Sequence, residues 1–120
     1  MSNLNYQNQV TSSQILANLV KENTCVIIKI SASWCGPCKD SKFLKLYSDL
    51  KNNFSQYQNI KFVELDIDKD SSIIEDTKYY DIKVNSVPTF LVSQNGHFIK
   101  KFEGNGKLNE INQIIINSLK

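Results

Sequence analysis

Arginine is missing from this chain; all 14 basic residues are lysine. Lysine carries a point charge and no planar fork, so nothing here can make the bidentate grip on phosphate or guanine that marks many nucleic-acid readers. A net charge of +2 adds little pull toward a polyanion, and no nucleic-acid partner is expected. Long apolar runs are missing too. The longest, residues 26–30, is interrupted by Lys29 and falls far short of the ~20 residues of a membrane span, so no membrane association is expected. The polar opening Met-Ser-Asn-Leu-Asn-Tyr-Gln-Asn-Gln has neither the basic nor the apolar segment of a secretory signal. A cytoplasmic, reducing setting is the resulting expectation. Cysteine is scarce, with three in the chain. In a reducing compartment that points to catalysis, metal binding or core packing rather than to a disulfide framework. With only two prolines and four glycines, no linker or low-complexity stretch divides the chain.

What is present is the composition of an ordinary globular domain. The 120 residues, 41% apolar and 22% charged, suffice for one hydrophobic core and read as a single domain over residues 1–120. A short strand is predicted around residues 6–10. Ser12 or Ser13 can cap a helix in which Ile15, Leu16, Leu19 and Val20 recur at helical spacing. Cys25–Ser31, β-branched and apolar almost throughout, reads as a strand buried on both faces. From Pro37 the pattern turns helical, with Phe43, Leu46, Tyr47 and Leu50 on one face and Phe54 ending the stretch. Residues 60–67 read as a second buried strand and residues 68–80 as a helix. Residues 89–93 and His97–Glu103 are strands joined through Asn95-Gly96, whose tolerance of positive φ makes it a strong hairpin signal. A last helix covers residues 108–119, with Leu108, Ile111, Ile115 and Leu119 on one side. The order βαβαβαββα, crossovers first and a hairpin last, predicts an α/β fold: a central mixed β-sheet flanked by helices on both faces.

Trp34-Cys35-Gly36-Pro37-Cys38-Lys39 lies where a buried strand ends and a helix begins. Unpaired backbone N–H groups and a partial positive charge gather at a helix start, and both favour a thiolate. A thiol of ordinary pKa about 8.5 can be brought to ~7 or below in such motifs. Cys35 at an exposed mouth is the expected nucleophile, and Cys38, one turn into the helix, the shielded resolving thiol. Gly36 leaves room for a substrate backbone, and Pro37 suits an early helical position because it has no N–H to lose. Half of a zinc site is the competing reading, but only Cys25 and His97 remain as further ligands, without ligand-like spacing. No metal is expected. Two buried structural cysteines fit poorly with the exposed turn that Gly-Pro marks.

At this point the chain resembles the thioredoxin family. Residues 31–39, Ser-Ala-Ser-Trp-Cys-Gly-Pro-Cys-Lys, are similar to that family's active-site signature. About fifty residues on, Val87-Pro88-Thr89 resembles its second signature, and Asn95-Gly96 and Gly104 follow at family-like distances. The resemblance covers residues 12–119. It implies the thioredoxin fold and a general protein-disulfide reductase acting on disulfide-containing proteins through a Cys35–Cys38 redox disulfide. It also implies a monomer without a bound cofactor, recharged by a thioredoxin reductase that draws on NADPH. A cis Pro88 would expose the backbone of Val87 for an extended substrate to pair with. Trp34, Gly36, Pro37, Val87, Pro88 and Gly104 would line the substrate site.

The most informative departure from the family is Lys29, six residues before Cys35, where the family usually buries an Asp that helps take the proton from the resolving cysteine. A lysine in a central strand must be paired, neutralised or led to solvent by its stem. Family register puts Glu64 beside it, so a Lys29–Glu64 pair is expected beneath the active site. Glu64 would then serve as base through a water, and the ammonium would favour the Cys38 thiolate. A snorkelling Lys29 is the alternative. Phe43 stands where the family often has a kinking proline, which predicts a straighter helix. The stretch between residues 68 and 88 is longer than usual, and Glu103 puts a charge beside Gly104.

Other residues carry less. Lys39, Lys42 and Lys45 recur every three residues and read as a solvated helix face before an acidic-partner surface. Cys25 reads as a small buried apolar residue; a regulatory role would need exposure. His97 reads as a solvated strand residue. A thioredoxin-fold binding module with restricted partners is the rival to the reductase, and a glutathione-dependent glutaredoxin is a weaker third reading.

Overall fold

The computed structural model describes residues 10–120. The strand expected around residues 6–10 therefore lies outside the described residues, apart from Val10, which is buried. Helix α1, Ser13–Glu22, starts at Ser12, whose Oγ accepts from the Ile15 N–H. Its Leu16 and Val20 face inward, one turn apart. Strand β1, Cys25–Ser31, is buried in all but its last residue. It runs parallel to β2, Ile60–Asp66, and antiparallel to β3, Thr89–Gln94. Strand β4, His97–Glu103, pairs antiparallel with β3 and completes the order β2-β1-β3-β4 among the described residues. The hairpin between β3 and β4 turns at Asn95 and Gly96, with φ of 53° and 88°, the left-handed pair that the Asn-Gly dipeptide accepts at low cost.

Alternation along the strands splits the core in two. Cys25, Ile27, Phe62, Phe90 and Val92 meet α2, Ser41–Asn53, and α4, Leu108–Ser118, through Phe43, Tyr47, Leu50, Ile111 and Ile115. Val26, Ile28, Ile30, Val63, Leu65 and Leu91 meet α1 and α3, Ser71–Glu75, on the other face. The mixed sheet thus carries helices on both sides, as the element order predicts. No helix among the described residues is long and apolar enough to cross a membrane.

Three local expectations need correction. Leu46 does not share the buried stripe of α2; it is 49% exposed, because it sits at the edge of the narrow face made by Phe43, Tyr47 and Leu50. Residues 68–80 are not one helix. The α-helical part is only Ser71–Glu75, and Asp76–Tyr80 tightens into a 3-10 turn that ends at Asp81 with φ 61°. The helix after the cysteines is not straighter for lacking a proline. A 3-10 turn, Pro37–Lys39, stops at Asp40, and α2 starts afresh there with the Asp40 carboxylate accepting from the Phe43 N–H at 2.9 Å. A cap does here what a proline does elsewhere: it interrupts the helix just past the active-site turn.

Candidate active site

Strand β1 delivers the chain to Ala32, whose carbonyl accepts from the Cys35 N–H at 3.1 Å. The Pro37–Lys39 turn then brings Cys38 back onto Cys35. Their Cα atoms are 5.3 Å apart and the sulfurs are joined in a disulfide. Both cysteines are buried, at 3% and 5% exposure, so the expectation of an exposed Cys35 beside a shielded Cys38 is not met in this disulfide form. Each sulfur covers the other, and Ala32, Ile67 and Val87 close around them. The asymmetry between the two cysteines lies in a hydrogen bond. The Cys38 N–H points at Cys35 Sγ, 3.1 Å away. A donor aimed at Cys35 stabilises negative charge on that sulfur.

The other expected site residues gather around this pair. The Val87–Pro88 peptide is cis, and the Pro88 carbonyl accepts from the Gly104 N–H at 2.8 Å. Gly104 has φ +90°, a conformation a side chain would strain. At Gly36 a side chain would meet open space, and its φ of −61° is ordinary. The folded chain by itself therefore places no demand for glycine there. Trp34 is 65% exposed yet held, because its Nε1 donates to Asp68 Oδ2 at 2.9 Å.

Lys29 and Glu64 are register partners in β1 and β2, and Lys29 Nζ lies 3.9 Å from Glu64 Oε1. The ammonium sits 5.4 Å from the Phe43 ring centre and 5.2 Å from that of Tyr47. Burial lowers the Lys29 pKa, Glu64 pulls it back up, and Lys51 lowers it again. Lys51 shares the carboxylate, 3.3 Å from Oε2. Snorkelling is thus not the arrangement: Lys29 is 5% exposed.

Cys25 is fully buried at the start of β1. Desolvation pushes its thiol up to about 11, only partly offset by a hydrogen bond with Ser118, so it is no candidate for a reactive thiol. His97, Lys39, Lys42 and Lys45 are exposed, and Lys45 pairs with Asp49 at 3.1 Å. The stretch after β2 forms a groove of about 640 Å³ lined by Ile67, Ile74, Ile82 and Val84 among others. Three residues that matter here carry no motif: Asp40, Asp68 and Asn105. An Asp three residues before the first inward-facing Phe43 is a readable cap signal. The other two meet their partners across loops distant in sequence, Asp68 at the Trp34 indole and Asn105 Nδ2 at the Pro37 carbonyl oxygen, 3.1 Å away.

The thioredoxin family model matches residues 6–117. The chain belongs to the thioredoxin family. It is 30% identical to thioredoxin 1 of Plasmodium falciparum over 95 residues, covering 79% of this chain and 82% of that protein. Mitochondrial thioredoxin-3 of Saccharomyces cerevisiae is 29% identical over 96 residues, 80% of this chain and 68% of the relative. The crystal structure of the oxidised yeast protein superposes with a TM-score of 0.72 at 25% identity, covering 93% of each chain. Thioredoxin from Trypanosoma brucei brucei gives 0.74 at 22% identity, over 94% of this chain and 90% of that one, and shows the fold alone. With the thioredoxin fold and the Cys35–Cys38 disulfide in place, the chain is a thiol–disulfide oxidoreductase, a redox carrier that works by opening and closing that bond.

Proposed function

We propose that the chain is a general protein-disulfide reductase of the cytoplasm, working as a monomeric single domain. The observation that carries this reading is the disulfide packed against Val87, beside the cis Val87–Pro88 peptide. That placement sets a redox-active bond next to backbone that an extended substrate can pair with. The Cys35 thiolate attacks one sulfur of a substrate disulfide, forming a mixed disulfide and releasing the first substrate thiolate. Cys38, as thiolate, then attacks Cys35 Sγ, and the second substrate thiolate leaves. Two electrons pass to the substrate, and Cys35–Cys38 is closed. Trp34, Gly36, Pro37, Val87, Pro88 and Gly104 form the rim that receives the substrate chain. Lys29 and Glu64 assist the second step, Glu64 taking the Cys38 proton through a water and the ammonium favouring the thiolate. A thioredoxin reductase fed by NADPH restores the dithiol, and the domain needs no cofactor of its own.

Reduction of insulin with dithiothreitol as electron source tests this. Acceleration by the wild type, lost in Cys35→Ser and in Cys38→Ser, is the expected result. Turnover no faster than dithiothreitol alone would overturn general reduction and leave a binding module with restricted partners.

A further inference from the structure

Asn105 follows Gly104 in the loop between β4 and α4, and its side chain crosses to the active-site turn. Nδ2 lies 3.1 Å from the Pro37 carbonyl oxygen. A carbonyl can only accept, so the amide nitrogen must be the group that faces it. That carbonyl belongs to the same peptide unit as the Cys38 N–H, and this N–H is the donor aimed at Cys35 Sγ at 3.1 Å. Three groups therefore stand in series: the Asn105 amide, the Pro37–Cys38 peptide and the Cys35 sulfur.

A hydrogen bond accepted at the oxygen of a peptide draws electron density from its nitrogen and makes its N–H a stronger donor. Chains of this kind reinforce one another. The Pro37 carbonyl receives a second, longer bond from the Asp40 N–H at 3.4 Å, so Asn105 supplies the shorter of two. The Cys38 N–H meets the Cys35 sulfur at 3.1 Å with the disulfide closed, and the same contact in the dithiol would place a donor on the thiolate. We propose that Asn105 is a positioning residue for the nucleophile: it fixes and polarises the Pro37–Cys38 peptide, whose N–H then stabilises the Cys35 thiolate. The inference rests on Cys35 being the attacking thiol.

Bonds to charged groups strengthen by roughly a tenth to a third in such chains, which corresponds to about 0.2–0.5 pH units of thiol acidity. The test is the pH dependence of iodoacetamide alkylation in the reduced protein, with the labelled peptide mapped by mass spectrometry. Asn105→Leu keeps much of the volume and has no donor; Asn105→Ala removes the side chain and stands in if the first fails to fold. The expected result is label on Cys35, with its titration moved up by about 0.2–0.5 units and the rate near pH 6 reduced about two- to three-fold. Label on Cys35 with an unmoved titration, even alongside a lowered melting temperature, would overturn the role of Asn105 and leave the nucleophile assignment standing. Label on Cys38 first would overturn that assignment itself.

Discussion

Lys29 and Glu64 stand side by side in parallel strands, Nζ 3.9 Å from Oε1, the ammonium buried and the carboxylate half open to solvent. The arrangement is lopsided. Lys29 bears nearly all of the desolvation, while Glu64 keeps water and a second partner in Lys51. The Phe43 and Tyr47 rings offset part of the cost by presenting their faces to the cation. The Tyr47 hydroxyl is buried with no hydrogen-bond partner among the described residues, so this pocket is held by rings and charge rather than by a closed polar network.

The two partners should therefore respond differently to removal. Lys29→Met discards the buried charge and leaves Glu64 paired with Lys51, so stability should rise by about 1 kcal/mol at neutral pH. Glu64→Gln strips the buried ammonium of its counter-charge and should cost about 1–2 kcal/mol. The gain in Lys29→Met carries a pH signature. Folding lowers the Lys29 pKa below its ordinary 10.5, so the unfolded chain holds this proton more tightly. The penalty is full below the folded pKa and fades as pH rises through it toward 10.5. Urea unfolding of the oxidised proteins should show the advantage of Lys29→Met shrinking as pH rises. A Lys29→Met protein less stable than wild type at neutral pH would mean that the cation stabilises the fold.

Cys25 yields the opposite slope. Its thiol is pushed from 9.0 to about 11 in the folded chain, so above pH 9 the unfolded chain loses the proton first and stability falls. In the oxidised protein Cys25 is the free thiol among the described residues, which isolates the effect. Wild type should lose about 2 kcal/mol relative to Cys25→Ala between pH 9 and pH 11. Equal slopes for the two proteins would show that the thiol is solvated.

How much of this was readable beforehand depended on the range of each interaction. The strands and helices were legible because burial repeats at short spacing: Cys25–Ser31 announces a strand closed on both faces, and Ile111 with Ile115 announces a helix seam. The register of Lys29 against Glu64 came through the family resemblance, since one sequence does not say which residues of two parallel strands face each other. The resemblance also misled. It suggested a helix straightened by the loss of proline, although Asp40 was there to end one turn and begin another. Asp68 and Asn105 were invisible for a plainer reason. Each acts across a gap that only the fold closes, 34 residues to Trp34 and 68 residues to Pro37.

Asp40 holds the start of α2 by accepting from the Phe43 N–H. Asp40→Ala should cost about 1 kcal/mol, and Asp40→Asn, which keeps an acceptor, only a few tenths. Amide exchange at Phe43 is the local readout and should quicken in the alanine variant alone. Equal exchange in both would place the helix start elsewhere.

Trp34 is largely exposed, yet its indole N–H is tied to Asp68. An exposed aromatic ring free to rotate would lose more freedom on meeting a partner, so the tie lowers the entropy that any such contact would cost. Asp68→Ala should free the ring and Asp68→Asn, which keeps an acceptor oxygen, should hold it. Trp34 is the sole tryptophan, so fluorescence reports on it directly. Acrylamide quenching should rise in Asp68→Ala. If Trp34 is part of the substrate rim, KM for insulin should rise about two- to five-fold with kcat little changed, the worth of one modest hydrogen bond. A freed ring with an unchanged KM would remove Trp34 from the rim and shift recognition onto Val87 and its neighbours.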